Sequence, residues 1–257
     1  MDRTERGTYA PGHGENQNRM RDIAGRWTPK KDKVRAVTLC DWHVPYESRD
    51  AIHAALDFCE DMQPEIVVAH EIHDFYNLSS FDKDPARIDS LQSELDQVIG
   101  YLKDLRAACP GARILLLKSN HLDRLKRYLW CNAQALNSLR ALEIPTLLNL
   151  DRFGIEYMDH FIYNDFLFKH GNLVSKGAGM TALREMQAEG MSGVSGHTHR
   201  LSIVYHRDRA TSRVWIESGC LCSLEAEYLD GRVPNWQHGL SVVEFEGAKY
   251  RAQVVTL

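Results

Sequence analysis

Hydrophobic and polar positions recur with two periods along this chain. Short runs of β-branched and aliphatic residues predict buried strands, at 34–40, 65–69, 113–117, 166–169 and 192–195. Between these runs, apolar residues return every three or four positions and predict helices, at 49–62, 123–142 and 178–189. A further helix is predicted to begin at Asp84 and Pro85, an N-cap followed by proline at the first helical position, and to end before Pro110.

The last quarter of the chain changes to strand after strand. Four short β-rich runs follow one another, at 201–206, 213–216, 240–245 and 250–255. Strands that alternate with helices and then continue as strands predict an α/β sandwich with mixed sheets and helices outside. Residues 1–28 are polar and aperiodic, so we expect a flexible N-terminal arm followed by a single domain over 29–257.

Composition excludes some functions. The 257 residues are 44% hydrophobic and carry a net charge of -4, which argues against a general polyanion binder. No apolar run is long enough to cross a bilayer and no signal peptide is visible, so we predict a cytoplasmic protein without membrane contact. The six cysteines show no C-x-x-C spacing and are interpreted as reduced thiols, with Cys220 and Cys222 in a structural role.

Five short polar clusters follow directly after predicted strands. They are Asp41-Trp42-His43, His70-Glu71-Ile72-His73-Asp74, Ser119-Asn120-His121, His170-Gly171 and Gly196-His197-Thr198-His199-Arg200. Open α/β sheets place their sites at the carboxyl ends of strands. On an extended segment, residues i and i+2 point the same way, so we expect Asp41 and His43 to share one cation. The nitrogen and oxygen donors of these clusters suit Mn, Fe, Zn, Ni or Mg.

The order of these clusters resembles the calcineurin-like metallophosphoesterase superfamily. Its motifs run D-x-H, G-D-x-x-D/N, G-N-H-E/D, H and G-H-x-H, and the resemblance extends from about Val34 to Val243. Segments 74–79 and 219–222 are similar to the compact phosphoesterases of bacteriophage and bacterial genomes. The resemblance implies a four-layer α/β/β/α sandwich of two mixed sheets flanked by helices, with two divalent ions, preferably Mn.

The resemblance also implies a role for each polar residue of the clusters. One metal ion is expected on Asp41, His43 and His199. The second is expected on the ligands Asn120, His170 and His197, with Glu71 bridging both ions. His121 is expected near the leaving-group oxygen, and Asp74 is expected to orient it.

The second motif departs from the family pattern, because His70-Glu71 stands where the family has Gly-Asp. Three outcomes remain open: Glu71 bridges normally, one ion binds tightly and the other weakly, or the site is a phosphate-binding module with impaired catalysis. The third motif has Ser119 for glycine and Leu122 for an acidic residue. His70 itself is a candidate additional ligand.

The expected activity is that of a phosphoric ester hydrolase, with a nucleotide or nucleic acid as substrate of a phosphodiesterase or nuclease. Arg124, Arg200 and Tyr76 are candidate substrate-binding residues. Lys126 and Arg127 belong to the same basic segment, for which a solvated helix face is the alternative. Trp42 and Phe75 are candidates for stacking on a base or for the core. A phosphomonoesterase is the alternative activity, and the pattern leaves the oligomeric state open.

Overall fold

A computed structural model gives the fold over residues 33–80, 83, 90–226, 229 and 231–257. The predicted arm at 1–28 and the predicted helix start at Asp84 and Pro85 lie outside these described residues. Lys33–Leu257 forms one compact unit.

The larger sheet has six strands. In chain order they are β1 (Lys33–Cys40), β2 (Ile66–His70), β3 (Arg113–Leu117), β4 (Ile155–Met158), β10 (Gly239–Glu246) and β11 (Lys249–Thr256). Their order in space is β11-β10-β1-β2-β3-β4. The strands β1 to β4 are parallel to one another, whereas β10 pairs antiparallel with β1 and with β11. This mixed sheet therefore presents the carboxyl ends of four parallel strands at one edge.

The smaller sheet has five strands, β5 (Phe161–Tyr163), β6 (Phe166–Phe168), β7 (Ser192–Ser195), β8 (Leu201–Arg207) and β9 (Ser212–Ser218). Their order is β5-β6-β7-β9-β8, with β6, β7 and β9 parallel. The two sheets meet face to face. Across their interface the Ser218 hydroxyl lies 3.0 Å from that of Ser241, and the rings of Phe166 and Phe245 lie 5.9 Å apart.

Helices cover the outer face of each sheet. α1 (Arg49–Met62) and α2 (Leu91–Ala108) bury Ile52 and Leu102 in the same core as Val67 of the larger sheet. α5 (Met180–Glu189) packs Ala182 and Met186 against Leu167 and Trp215 of the smaller sheet. Helix, sheet, sheet and helix are thus stacked in four layers, which confirms the predicted fold class.

The predicted helix over 123–142 is wrong in its second half. α3 covers only Asp123–Asn132, and the chain continues as 3-10 turns at Gln134–Ser138 and Arg140–Leu142 before the short α4 (Ile144–Leu147). No residue from 130 to 147 is buried, so no packing supports a continuous helix there. The short strands β4 and β5 were not predicted: unlike β6 and β7, which are buried along their whole length, each has only its first residue buried. Within the described part of the chain, no helix has the length and apolarity needed to cross a membrane.

Candidate metal centre

The five polar clusters meet where the parallel strands of both sheets end. Cys40, His70 and Leu117, at the ends of β1, β2 and β3, are neighbours in the sheet register. The segments after them therefore leave the sheet at one edge. His170 and the 196–200 cluster follow β6 and β7 of the smaller sheet and lie at this same edge. The contact between the sheets is direct there, since His197 N donates to Asp41 Oδ2 at 2.9 Å.

One group of donors consists of Asp41, His43 and His199, whose ligand atoms all lie within 4.8 Å of one another. The Nε2 atoms of His43 and His199 face each other at 2.9 Å. Asp41 Oδ1 lies 4.0 Å from each of these nitrogens. All three side chains are buried. Two imidazole nitrogens and a carboxylate oxygen directed at one point form a donor set for a divalent cation.

A second group consists of Glu71, His170 and His197, again within 4.8 Å. His170 Nε2 lies 2.7 Å from Asn120 Oδ1 and 2.6 Å from Glu71 Oε2. Asp41 Oδ1 is 3.8 Å from His170 Nδ1, so Asp41 touches both groups. The structure thus brings together all seven donors that the sequence singled out.

The backbone around these donors is unusual. Asp41, His43, Glu71, His197 and His199 all have φ between 51° and 68°, in the left-handed region that side chains other than glycine rarely adopt. The argument that an extended segment aligns the donors at i and i+2 is therefore wrong. Tight left-handed turns after the strands direct these side chains inward instead.

The charges of this cluster are unbalanced without a cation. Burial and the neighbouring Glu71 raise the pKa of Asp41 well above its usual range. Burial alone would raise the pKa of Glu71, but His170, His121 and His43 together lower it. Asp41 Oδ1 is buried without a hydrogen-bond partner. Buried charges are normally paired or bind metals, so this orphaned oxygen fits a cation site.

Burial favours the neutral form of His197 and His199, which is the form that metal ligands require. Burial and His170 lower the pKa of His197 to about 4. Burial and His43 lower the pKa of His199 well below its usual value. His70 also lies in this cluster, fully buried, with Nδ1 at 3.1 Å from His170 Nδ1, and its pKa is lowered by burial and by His170.

Asp74 connects the donors to the residues at the opening of the site. Its Oδ2 lies 3.1 Å from His43 Nδ1 and 2.9 Å from His121 Nδ1, and its Oδ1 accepts from Arg124 Nη1 at 2.5 Å. Burial would raise the pKa of Asp74, but the hydrogen bonds from His121 and His43 lower it below its usual range. A carboxylate on the far nitrogen of a ligating histidine is the usual support of such a ligand.

His121 is held between Asp74 and Arg124. Burial lowers the pKa of His121 despite the opposing effect of Asp74. Arg124 Nη2 lies 3.0 Å from His121 Nε2, so this ring nitrogen can accept from the guanidinium, while Nδ1 lies 2.9 Å from Asp74 Oδ2. Asn120, His121 and His197 are partly exposed, whereas the other donors are buried. The site therefore opens to solvent on the side of these three residues.

His73 and Glu94 form a buried pair behind the second cluster, and Glu94 was not predicted to lie there. His73 is fully buried with Nε2 at 3.5 Å from Glu94 Oε1, which also accepts from Phe75 N at 2.5 Å. Burial raises the pKa of Glu94 to about 8 and lowers the pKa of His73 to about 3, so the pair is neutral at pH 7. The sequence signal for Glu94 is a carboxylate within the apolar stripe of α2, beside Leu95.

Glu217 and Cys222 support the fifth cluster and were also not predicted to do so. Glu217 accepts from the Thr198 hydroxyl at 2.7 Å, between the two histidines, and from the Ser202 hydroxyl at 2.7 Å. Cys222 Sγ lies 3.6 Å from His199 Nδ1, and these two residues form a third possible donor group together with Cys220. The i, i+2 spacing of the two cysteines after β9 was the available signal.

The candidate substrate residues divide into two sets. Arg124 lies in the site, as described above, but Arg200 donates to the carbonyl of Ser175, and Tyr76 packs edge-on against Tyr46 with ring centroids 5.6 Å apart. Trp42 and Phe75 are buried, at 1% and 0% exposure, so the suggestion that they stack on a base is wrong.

Comparison with known proteins gives relatives among bacteriophage proteins. The Gene 54 proteins of Mycobacterium phages D29 and L5 are 27% and 26% identical to this chain. Each match covers 87% of this chain and 93% of the relative. Among solved structures, a single mutant of Vps29 from Entamoeba histolytica matches with a TM-score of 0.39 and 12% identity, covering 87% of this chain and 99% of that chain. No protein-family profile matches the sequence.

Proposed function

We propose that the protein is a metal-dependent phosphoesterase that hydrolyses phosphate esters at a dinuclear centre. One observation carries the proposal. Two groups of nitrogen and oxygen donors lie side by side, with Asp41 Oδ1 of the first 3.8 Å from His170 Nδ1 of the second, and they open to solvent beside His121 and Arg124. Two adjacent divalent ions, preferably Mn, would supply Lewis-acid polarisation of the phosphoryl oxygens and a more acidic water. Asp41, His43 and His199 would hold one ion, and Asn120, His170 and His197 the other.

Glu71 fits the bridging role despite its extra methylene group. Its Oε2 is 2.6 Å from His170 Nε2, and its Oε1 accepts from His121 N at 3.1 Å. The carboxylate thus spans the second donor group and the backbone of the third cluster. This engagement favours normal bridging over a weakened second ion or an impaired phosphate-binding module.

The groups at the opening act on the ester itself in this proposal. Arg124 is fixed by Asp74, so its guanidinium stabilises negative charge that develops on the leaving oxygen. His121 donates to that oxygen when it is protonated, and Asp74 holds the ring in place. These positive and donor groups at the open side support cleavage of a phosphodiester in a nucleotide or nucleic acid.

Turnover of bis(p-nitrophenyl) phosphate with added Mn²⁺ tests the proposal. We expect Asn120→Ala and His197→Ala to abolish it and to lower the bound metal per chain. His53→Ala serves as the matched control, because His53 is an exposed histidine on α1. Absence of turnover with any of Mn, Fe, Zn, Ni or Mg, on protein with measured metal content, would refute the activity. A parallel assay with p-nitrophenyl phosphate separates a diesterase from a monoesterase.

A further inference from the structure

The outer face of α3 is a basic and aromatic surface next to the candidate metal centre. Lys126, Arg127, Tyr128 and Trp130 are exposed on this helix, and we call these four residues the α3 strip. The side chains of Tyr128 and Trp130 are 43% and 49% exposed. Leu125 and Leu129 of the same helix are buried in the core with Phe75, so the packing of α3 leaves the strip outside.

The strip continues directly from the opening of the site. Arg124, in the first turn of α3, contacts Asp74 and His121. Tyr128 lies four residues later, one helical turn of about 5.4 Å further along the same face. Trp130 lies with Lys126, four residues before it, on the other flank of the exposed face of α3. A chain that has its phosphate beside Arg124 can therefore cross this face with Tyr128 on one side and Trp130 on the other.

Charge on this part of the molecule opposes that of the whole. Residues 118–142 contain five basic side chains and one acidic side chain, a net charge of +4, whereas the complete chain carries -4. Lys126 Nζ lies 4.8 Å from the centroid of the Trp130 ring. The ammonium lies over one face of a half-exposed indole, so a charge for a phosphate stands next to a ring on which a base can stack.

We infer that the α3 strip binds single-stranded nucleic acid and guides it to the metal centre. The inference rests on the proposed phosphoester chemistry of that centre and names its substrate as a polymer. Single strands fit better than duplexes because Tyr128 and Trp130 can stack only on bases that are free of a pairing partner. Phosphate contacts from Lys126 and Arg127 would give affinity without reading sequence.

Fluorescence anisotropy with a labelled 15-nucleotide oligothymidylate tests the inference. The full chain is used with Asn120→Ala as the background, so that the probe is not cut. We expect Trp130→Ala to weaken binding about tenfold and Trp130→Phe to retain most of it, since stacking on one aromatic ring contributes about 1–3 kcal/mol. Lys126→Ala with Arg127→Ala should reduce the slope of log affinity against log salt by about 1.4, that is about 0.7 for each lost phosphate contact.

Matched controls come from an exposed surface of the other sheet. Tyr205 is 67% exposed on β8, and Arg207 and Arg209 are exposed at its end. Tyr205→Ala, and Arg207→Ala with Arg209→Ala, should bind the probe like the background protein. Equal losses in these controls and in the strip variants would overturn the inference. Binding of a duplex as tight as that of the single strand would also overturn it. The same holds if no probe binds and Trp130→Ala instead abolishes self-association of the chain.

Two further arms separate this inference from the function on which it rests. An oligouridylate of the same length distinguishes RNA from DNA as the strand. Hydrolysis of bis(p-nitrophenyl) phosphate by the unaltered chain is measured independently of binding. Turnover without strand binding refutes nucleic-acid binding by the α3 strip and leaves the phosphoesterase proposal standing. Strand binding without turnover refutes the phosphoesterase proposal and leaves binding by the strip standing.

Discussion

Gly196 is the position where one added methyl group should do most damage to the metal centre. An alanine Cβ there would lie 2.6 Å from Asp41 Oδ2, 2.6 Å from His70 Cε1 and 2.9 Å from Cys40 Cβ. All three neighbours are fully buried and cannot turn away into solvent. Gly196 does not have a positive φ, so the effect of Gly196→Ala is steric and not a matter of backbone preference.

The expected cost follows from these contacts. Overpacking a filled core costs about 1–3 kcal/mol, and three simultaneous overlaps place Gly196→Ala at about 3 kcal/mol. For a domain of this size, that corresponds to a melting temperature lower by roughly 6–12 °C. Displacement of Asp41 would also break its bond with His197 N and weaken metal binding.

Urea unfolding with and without Mn²⁺ measures both effects. The control is Gly100→Ala in α2, where an added Cβ meets nothing within 4 Å and should stabilise the helix by about 0.5–1 kcal/mol. If Gly196→Ala unfolds at the urea concentration of the wild type and keeps its Mn²⁺-dependent stabilisation, the steric reasoning is refuted.

Three other predictions concern the surroundings of the site. Asp74→Asn should lower metal affinity or turnover about 10–100-fold, measured by Mn²⁺ titration and by ester hydrolysis, because His43 loses its carboxylate partner; unchanged values would argue against this support. The raised pKa of Glu94, about 8, means that the folded state binds the proton that the unfolded state releases above about 4.5. Glu94 should therefore contribute a fall in stability of up to about 1.4 kcal/mol per pH unit between those values, whereas His73, with its pKa lowered to about 3, contributes a rise that ends near its unfolded value of about 6.5. Urea unfolding should show the fall between about pH 6.5 and 8, and Glu94→Gln should remove it. Lastly, EDTA should lower the melting temperature of Mn²⁺-loaded protein, and Glu217→Ala should reduce that difference by loosening Thr198; an identical EDTA effect in both proteins would contradict the role of Glu217.

The sequence predicted the fold well where periodic patterns are long. The helix at 49–62 and the strand at 113–117 are found with the predicted bounds, because capping residues and apolar runs delimit them. The helix after Asp123 was predicted too long, since residues 130–147 repeat apolar positions that no other element covers. A periodic pattern shows that a segment could form an amphipathic helix. It does not show whether another part of the folded chain covers the apolar face of that helix.

The candidate site was predicted at the level of which residues meet. Asp41, Glu71 and Asn120 follow strands of one sheet whose parallel arrangement brings their ends together. Long-range partners were not predicted. Nothing local in the sequence indicates that Glu94 reaches Phe75 N or that Cys222 reaches His199 Nδ1, because such contacts depend on how helices and loops pack against the strand ends.

The left-handed turns that carry five of the candidate donors have a consequence for protein engineering. Glycine at any of these positions relieves a backbone conformation that costs other residues about 1–2 kcal/mol, which offsets its greater freedom in the unfolded chain. His43→Gly should therefore lose less stability than the loss of a buried imidazole and of its contact with Asp74 would cost at an ordinary φ, although it removes a donor. A library of this chain screened for thermal tolerance in chelator would thus penalise loss of these donors less than loss of other buried histidines.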